Sequence, residues 1–343
     1  MQAKKNEYLL YIDVLRFIST VLVILVHTTG PIIDRIDWLG TKTWFISNMY
    51  FAFAKCGVPI FFMISGVLFF ELYDDIKIKE YYIKKFIKIV LPFIVLEFIY
   101  EIFIYKNLDA KMILFNIMSG KVYFHFWFML YMIPIIIVSP LLLKLFKKND
   151  TKAIELYLLF WIIFQFLLPA INNLLNINFV VKNPFTMEYT GYYLLGYYLH
   201  KRNFNKNEKK YIYVGAIVSI IIILTGTYFK NENVSIFNES YYNLFTFQIL
   251  ILSSTIFIFF KQSIKDNRFK VIKKINICSY GIYLIHPMVM IMINDRLHIN
   301  SYSIQPIIGI AIYTLITFVG SWLVVYLYKI IKNKTRKILV RSV

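Results

Sequence analysis

Ionisable side chains are scarce in this chain. Only 17% of its 343 residues are Asp, Glu, Lys or Arg, where a soluble domain carries about 25%. Apolar residues make up 59%, above the roughly 45–50% of soluble domains, so a water-soluble globule is excluded. Cysteine is nearly absent. Cys56 and Cys278 each lie inside an apolar run, outside any Cys-x-x-Cys pair or His/Cys ligand set, which excludes a disulfide framework and leaves no metal site to expect. The net charge of +19 raises the question of nucleic acid, but a basic recognition helix and zinc-knuckle spacings are both missing. The basic residues cluster between apolar runs instead, and no nucleic-acid partner is expected. The first apolar run has no small-residue cleavage site after it and is interrupted by Asp13 and Arg16, which excludes a cleavable signal peptide. An internal repeat and an attached soluble domain are missing too.

What fills the chain is apolar and aromatic, with 32 Phe and 27 Tyr, a usage that suits a membrane interior with interfacial belts. Runs long enough to span a bilayer lie near 8–30, 44–70, 84–105, 124–146, 153–170, 184–200, 211–229, 241–260, 272–293 and 303–328. The expected fold is therefore all-α: a polytopic transmembrane helix bundle of about ten spans, forming a single integral-membrane domain over 1–343. Of 38 Lys and Arg, 28 fall in one alternating set of connections: the N-terminus, 71–88, 144–152, 201–210, 261–274 and the tail from Lys329. The other set holds eight. By the positive-inside rule both termini are cytoplasmic and the protein resides in the cell membrane, with the lipid bilayer as its partner.

Polar residues inside these spans point to function, because an ionised side chain on a membrane helix costs roughly 2.5–3.5 kcal/mol and usually faces a protein interior or a water-filled cavity. Arg16 and His27 share the first span. Eleven residues at 100° each bring them within about 20° of one face, some 16 Å apart along the axis. Lys55 sits deep in the second span, beside Gly57, Pro59, Ser65 and Gly66, which loosen that helix. Lys84, Lys85 and Lys88 open the third span at its inner end, either as a positive-inside anchor or as a phosphate site. Further along it, Glu97 and Glu101 share a face. Glu97 needs a partner, for which Lys55 is the candidate, and a structural ion pair and a catalytic role both stay open. His125 starts the fourth span beside Trp127, as a belt residue or a site residue. His286 precedes Pro287 in the ninth, where it either serves chemistry or satisfies carbonyls that the proline frees. The outer half thus collects His27, His125, His286 and Glu101, with Lys55 near the midplane, and the inner half collects Arg16 and the lysines. The pattern to explain is an anion site inside and a proton-transfer site further out.

These residues resemble a known family, the bacterial membrane acyltransferases of acyltransferase family 3. The resemblance rests on Asp13, Arg16 and His27 in the first span; Val58, Pro59, Phe61, Phe62, Ser65 and Gly66 in the second; Lys84, Lys85, Lys88 and Pro92 in the third. It continues through His125, Trp127 and Leu130 to Ser279, Tyr280, Gly281, Tyr283, His286 and Pro287. It implies transfer of an acyl group, usually acetyl, from cytosolic acyl-CoA to a hydroxyl of an envelope glycan or lipid-linked sugar. It also implies the short, stand-alone type without the SGNH-type hydrolase domain of larger relatives.

Together the two lines give an expected mechanism. Acetyl-CoA or another acyl-CoA is the donor, its phosphates held by Arg16, Lys84, Lys85 and Lys88 with Ser65 in the donor site. His27 is the general base on the acceptor hydroxyl, or accepts the acyl group itself. His125, His286 or Lys55 steadies the oxyanion or orients the acceptor, and Glu97 is held as a further candidate. The alternative is a glycan or small-acid transporter or flippase using Arg16, Lys55 and Glu97.

Overall fold

A computed structural model describes residues 9–106, 109–146, 151–175, 188–264, 270–301 and 305–341. The N-terminal Lys4 and Lys5, most of the 171–183 loop, the start of the sixth expected span, and Lys147, Lys148 and Lys265 lie outside the described residues. Every regular element among the described residues is a helix. In chain order these are α1 (Leu10–Ile33), α2 (Lys42–Ala54), α3 (Gly57–Leu72), α4 (Ile78–Lys85), α5 (Leu91–Tyr105), α6 (Ala110–Ser119), α7 (Trp127–Leu145), α8 (Lys152–Ile162), α9 (Leu168–Leu175), α10 (Thr190–Lys201), α11 (Lys206–Asn231), α12 (Phe247–Ser263), α13 (Lys270–Asn276), α14 (Ser279–Leu297) and α15 (Pro306–Arg341).

Among the described residues, seven helical stretches are long and apolar enough to cross a membrane: 10–33, 42–72, 124–145, 152–175, 206–231, 240–263 and 306–334. The other three expected segments are helical where described but shorter or more polar. α10 has 12 residues and α14 carries His286, Asn294, Asp295 and Arg296. The third is interrupted by Lys88, Glu97 and Glu101. The protein is thus an all-α, polytopic membrane protein, and its least apolar candidates include the helices that carry site residues.

α1 is the axis of the bundle, packing against α2, α3, α12, α13, α14 and α15. Its three threonine hydroxyls are paired, while the buried Ser19 Oγ has no partner. Thr20 donates to the Arg16 carbonyl at 2.8 Å and Thr29 to the Leu25 carbonyl at 2.6 Å, while Thr28 reaches Thr314 of α15 at 2.9 Å. Side-chain-to-backbone bonds of this kind let polar residues sit in an apolar helix. The long second span is broken at Lys55 and Cys56 into α2 and α3, as its Gly57 and Pro59 lead one to expect.

α3 and α10 cross with backbones in contact. A Cβ on Gly66 would stand 1.8 Å from the Tyr193 carbonyl oxygen, and one on Gly196 would stand 2.2 Å from that of Met63. Only hydrogen fits at either point, the close approach that small residues give membrane helices. Between α4 and α5 the chain widens into a π-turn at Phe86–Val90. Pro92 follows and has no N–H to return to the carbonyl one turn back. The Tyr280 hydroxyl donates to the Ile89 carbonyl there at 2.7 Å, tying the wide turn to α14.

Candidate functional site

At the Arg16 end of α1 lies a cavity of about 1070 Å³. Arg16, Lys85 and Lys88 bring positive charge to its wall, and Ser65 lines it from α3. The Arg16 guanidinium stands 3.5 Å from the Asp13 carboxylate one turn earlier, which orients it. The Lys85 ammonium lies 5.5 Å over the Tyr81 ring. Ser65 spends its proton on the Phe61 carbonyl at 2.9 Å, so its oxygen faces the cavity as an acceptor. Lys84 is exposed and is not among the lining residues. The three-lysine cluster therefore divides, because the side chain of Lys84 leaves the helix about 100° from that of Lys85.

The cavity also takes in residues that had drawn no attention in the sequence. Glu71 accepts from Lys201 at 2.5 Å and lies 3.4 Å from His200, whose other ring nitrogen is 2.6 Å from the Tyr11 hydroxyl. No local spacing signals this group, since it joins α1, α3 and α10 across the fold.

Three imidazoles gather further along α1. The His27 and His286 rings stack with centroids 5.2 Å apart, and His125 meets His286 edge-on at 5.4 Å. His125 and His286 are buried, while His27 is partly exposed and within electrostatic reach of Lys55. The sequence placed these three histidines at one level from three separate spans, and the fold brings them into contact.

Pro287 accounts for much of how they are held. It removes an N–H from the α14 ladder, leaving the Tyr283 carbonyl free, and the His286 Nδ1 donates to that carbonyl at 2.7 Å. The next rung is opened by a side chain. The Tyr100 hydroxyl donates to the Leu284 carbonyl at 3.1 Å and accepts from the Met288 N–H at 3.3 Å. The His125 Nε2 reaches the same Leu284 carbonyl at 3.3 Å. A carbonyl can only accept, so in the neutral rings His286 carries its proton on Nδ1 and His125 on Nε2. The remaining nitrogens, Nε2 of His286 and Nδ1 of His125, are buried with no hydrogen-bonding partner. Both present lone pairs.

One expected relation comes out differently. Lys55 pairs with Glu239 at 3.4 Å and lies 4.8 Å over the Phe51 ring; it does not meet Glu97. The break after α2 places Lys55 beside the 230–240 connection, whereas α5 packs against α6 and α14. Glu97 is buried with its Oε1 unpartnered, and Glu101 accepts from Asn116 at 2.9 Å through one oxygen only. Neither carboxylate lines the cavity. Among the described residues, no group of three or more His, Cys, Asp or Glu side chains is placed to hold a metal ion.

A bundle of bilayer-length helices with a cation-lined cavity at one end of α1 and a cluster of imidazoles further along it defines an integral membrane protein with an internal polar site. The chain belongs to the acyltransferase 3 family: the family model, described as an acyltransferase domain, matches residues 9–326. No curated protein and no solved structure matches it. The protein is a membrane acyltransferase, working in a bilayer and drawing on an acyl donor.

Proposed function

We propose that the protein moves an acyl group, acetyl in the first instance, from cytosolic acyl-CoA to a hydroxyl of an envelope polysaccharide or lipid-linked sugar. The observation that carries this reading is the placement of the cation-lined cavity, whose lining on α14 ends at Tyr283, one helical turn from His286. Arg16, Lys85 and Lys88 are the phosphate-binding set, since clustered cations hold phosphate oxygens through charge-assisted hydrogen bonds. Lys84 serves as a membrane-surface anchor. In this reading the Arg16 end is cytoplasmic and the His27 end faces the acceptor.

His27 is the general base. Its side chain is the partly exposed member of the three, and a neutral imidazole nitrogen can take the proton of an attacking hydroxyl. The acceptor hydroxyl gives its proton to His27 as its oxygen attacks the thioester carbonyl. The C–S bond then breaks, and the proton passes to the departing thiolate. His286 and His125, with lone pairs on their unpartnered nitrogens, accept hydrogen bonds and so orient His27 or the hydroxyl. Neither neutral ring can donate to an oxyanion from that nitrogen, which leaves the Lys55 ammonium as the donor for it. Glu97 has no part in this chemistry.

Purified protein in vesicles, supplied with radiolabelled acetyl-CoA and membrane glycan, tests the reading. Label is expected in the extracted glycan. Uptake of label without a covalent product would overturn it in favour of transport.

A further inference from the structure

The end of the cavity nearest the histidines is closed by aromatic rings. Along α3, α7 and α14 the lining residues nearest the His27 end are Phe61, Phe128 and Tyr283. They form a continuous floor: the Phe61 and Phe128 rings lie 6.1 Å apart, and Phe128 meets the Tyr283 ring edge-on at 5.4 Å. Tyr283 is pinned, its hydroxyl donating to the His125 backbone carbonyl at 2.7 Å. On its far side its ring centroid lies 5.6 Å from that of His125 and 6.3 Å from that of His286. None of the three histidines of the cluster lines the cavity. A group entering past the cations therefore meets this floor before it meets an imidazole.

We infer that the Phe61–Phe128–Tyr283 floor fixes the length of acyl group the enzyme accepts, with Tyr283 as the specificity-determining residue. This rests on the acyl-CoA reading proposed above. Phosphates held at Arg16, Lys85 and Lys88 anchor the donor at a set depth, so every added methylene carries the acyl end further into the rings. One methylene too many in a closed apolar pocket changes discrimination by about 10–200-fold. A longer chain has to occupy the space the Tyr283 and Phe128 rings fill.

The test is a donor series of acetyl-, butyryl- and hexanoyl-CoA, compared in the full-length protein and in Tyr283→Ala, Tyr283→Phe and Phe128→Leu. Both transfer and retention of labelled donor are measured. Tyr283→Ala is expected to raise butyryl relative to acetyl use by about tenfold or more, with Phe128→Leu shifting it in the same direction. Tyr283→Phe keeps the ring and is expected to keep the parent profile. If Tyr283→Ala does not accumulate, Phe128→Leu and Tyr283→Leu carry the comparison. An unchanged chain-length profile in variants that still bind acetyl-CoA overturns the inference. A parent that binds the series in order of chain length yet transfers nothing contradicts the acyltransfer reading instead, and the retention data still decide the role of the floor.

Discussion

Pro287→Ala separates the architecture of α14 from its chemistry. Alanine restores an N–H whose natural acceptor, one turn back, is the Tyr283 carbonyl. That carbonyl now takes the proton of His286 Nδ1 at 2.7 Å. The substitution also removes a residue that costs a helix interior about 3 kcal/mol relative to alanine. Thermal stability in detergent is therefore expected to hold or rise. His286, however, must share or lose its acceptor, and a hydrogen bond of this kind contributes about 0.5–1.5 kcal/mol. If that bond fixes which nitrogen of His286 faces His27, its loss lowers transfer by roughly 2–13-fold, taking 1.36 kcal/mol as tenfold. Acyl transfer from labelled acetyl-CoA and a melting curve on the same preparation measure both. Unchanged transfer with unchanged or higher stability would refute the claim that the proline-freed carbonyl orients His286. A collapse in stability would refute the account of the helix.

Other perturbations follow from the same geometry. Replacing Lys85 and Lys88 by Gln is expected to raise the acetyl-CoA concentration needed for half-maximal rate, while Lys84→Gln leaves it in place; equal effects from all three would show the cluster to be a surface anchor. Tyr100→Phe leaves the Met288 N–H without its acceptor, and a drop in stability of about 1–3 kcal/mol is expected on melting. A drop under a few tenths would mean that the ladder of α14 closes by itself. Gly196→Ala sets a Cβ 2.2 Å from the Met63 carbonyl oxygen, so α3 and α10 must part by more than an ångström. Overpacking of this kind costs about 1–3 kcal/mol, and an unaltered melting temperature would show that the crossing is not tight.

The sequence made the membrane architecture legible because apolar run length is a direct reading of bilayer thickness. It was least direct for α14 and the α4–α5 segment, where His286, Lys88, Glu97 and Glu101 dilute the apolar signal for the same reason that these helices matter. The histidines were legible as a set, since each sits a countable number of residues from a span end and depth is conserved across parallel axes. What pins them was not. Tyr100 looks like any other of the 27 tyrosines, and Tyr283, though part of the motif that ends in His286 and Pro287, does not disclose its bond to the His125 carbonyl until the helices are laid together. The same limit explains Lys55: both Glu97 and Glu239 were acidic residues in the chain, and only the packing of α5 away from α2 decides between them. His200 with Glu71, Lys201 and Tyr11 was invisible for a related reason, being assembled from three helices with no shared spacing.

The account turns on His27, and His27→Ala tests it most directly. Transfer of label from acetyl-CoA to glycan is measured beside retention of labelled acetyl-CoA by the same purified variant. Retention close to that of the parent, with transfer lowered by the 10²–10⁴-fold that general bases typically contribute, is the expected result. Transfer at the parental rate in a variant lacking that imidazole would contradict it.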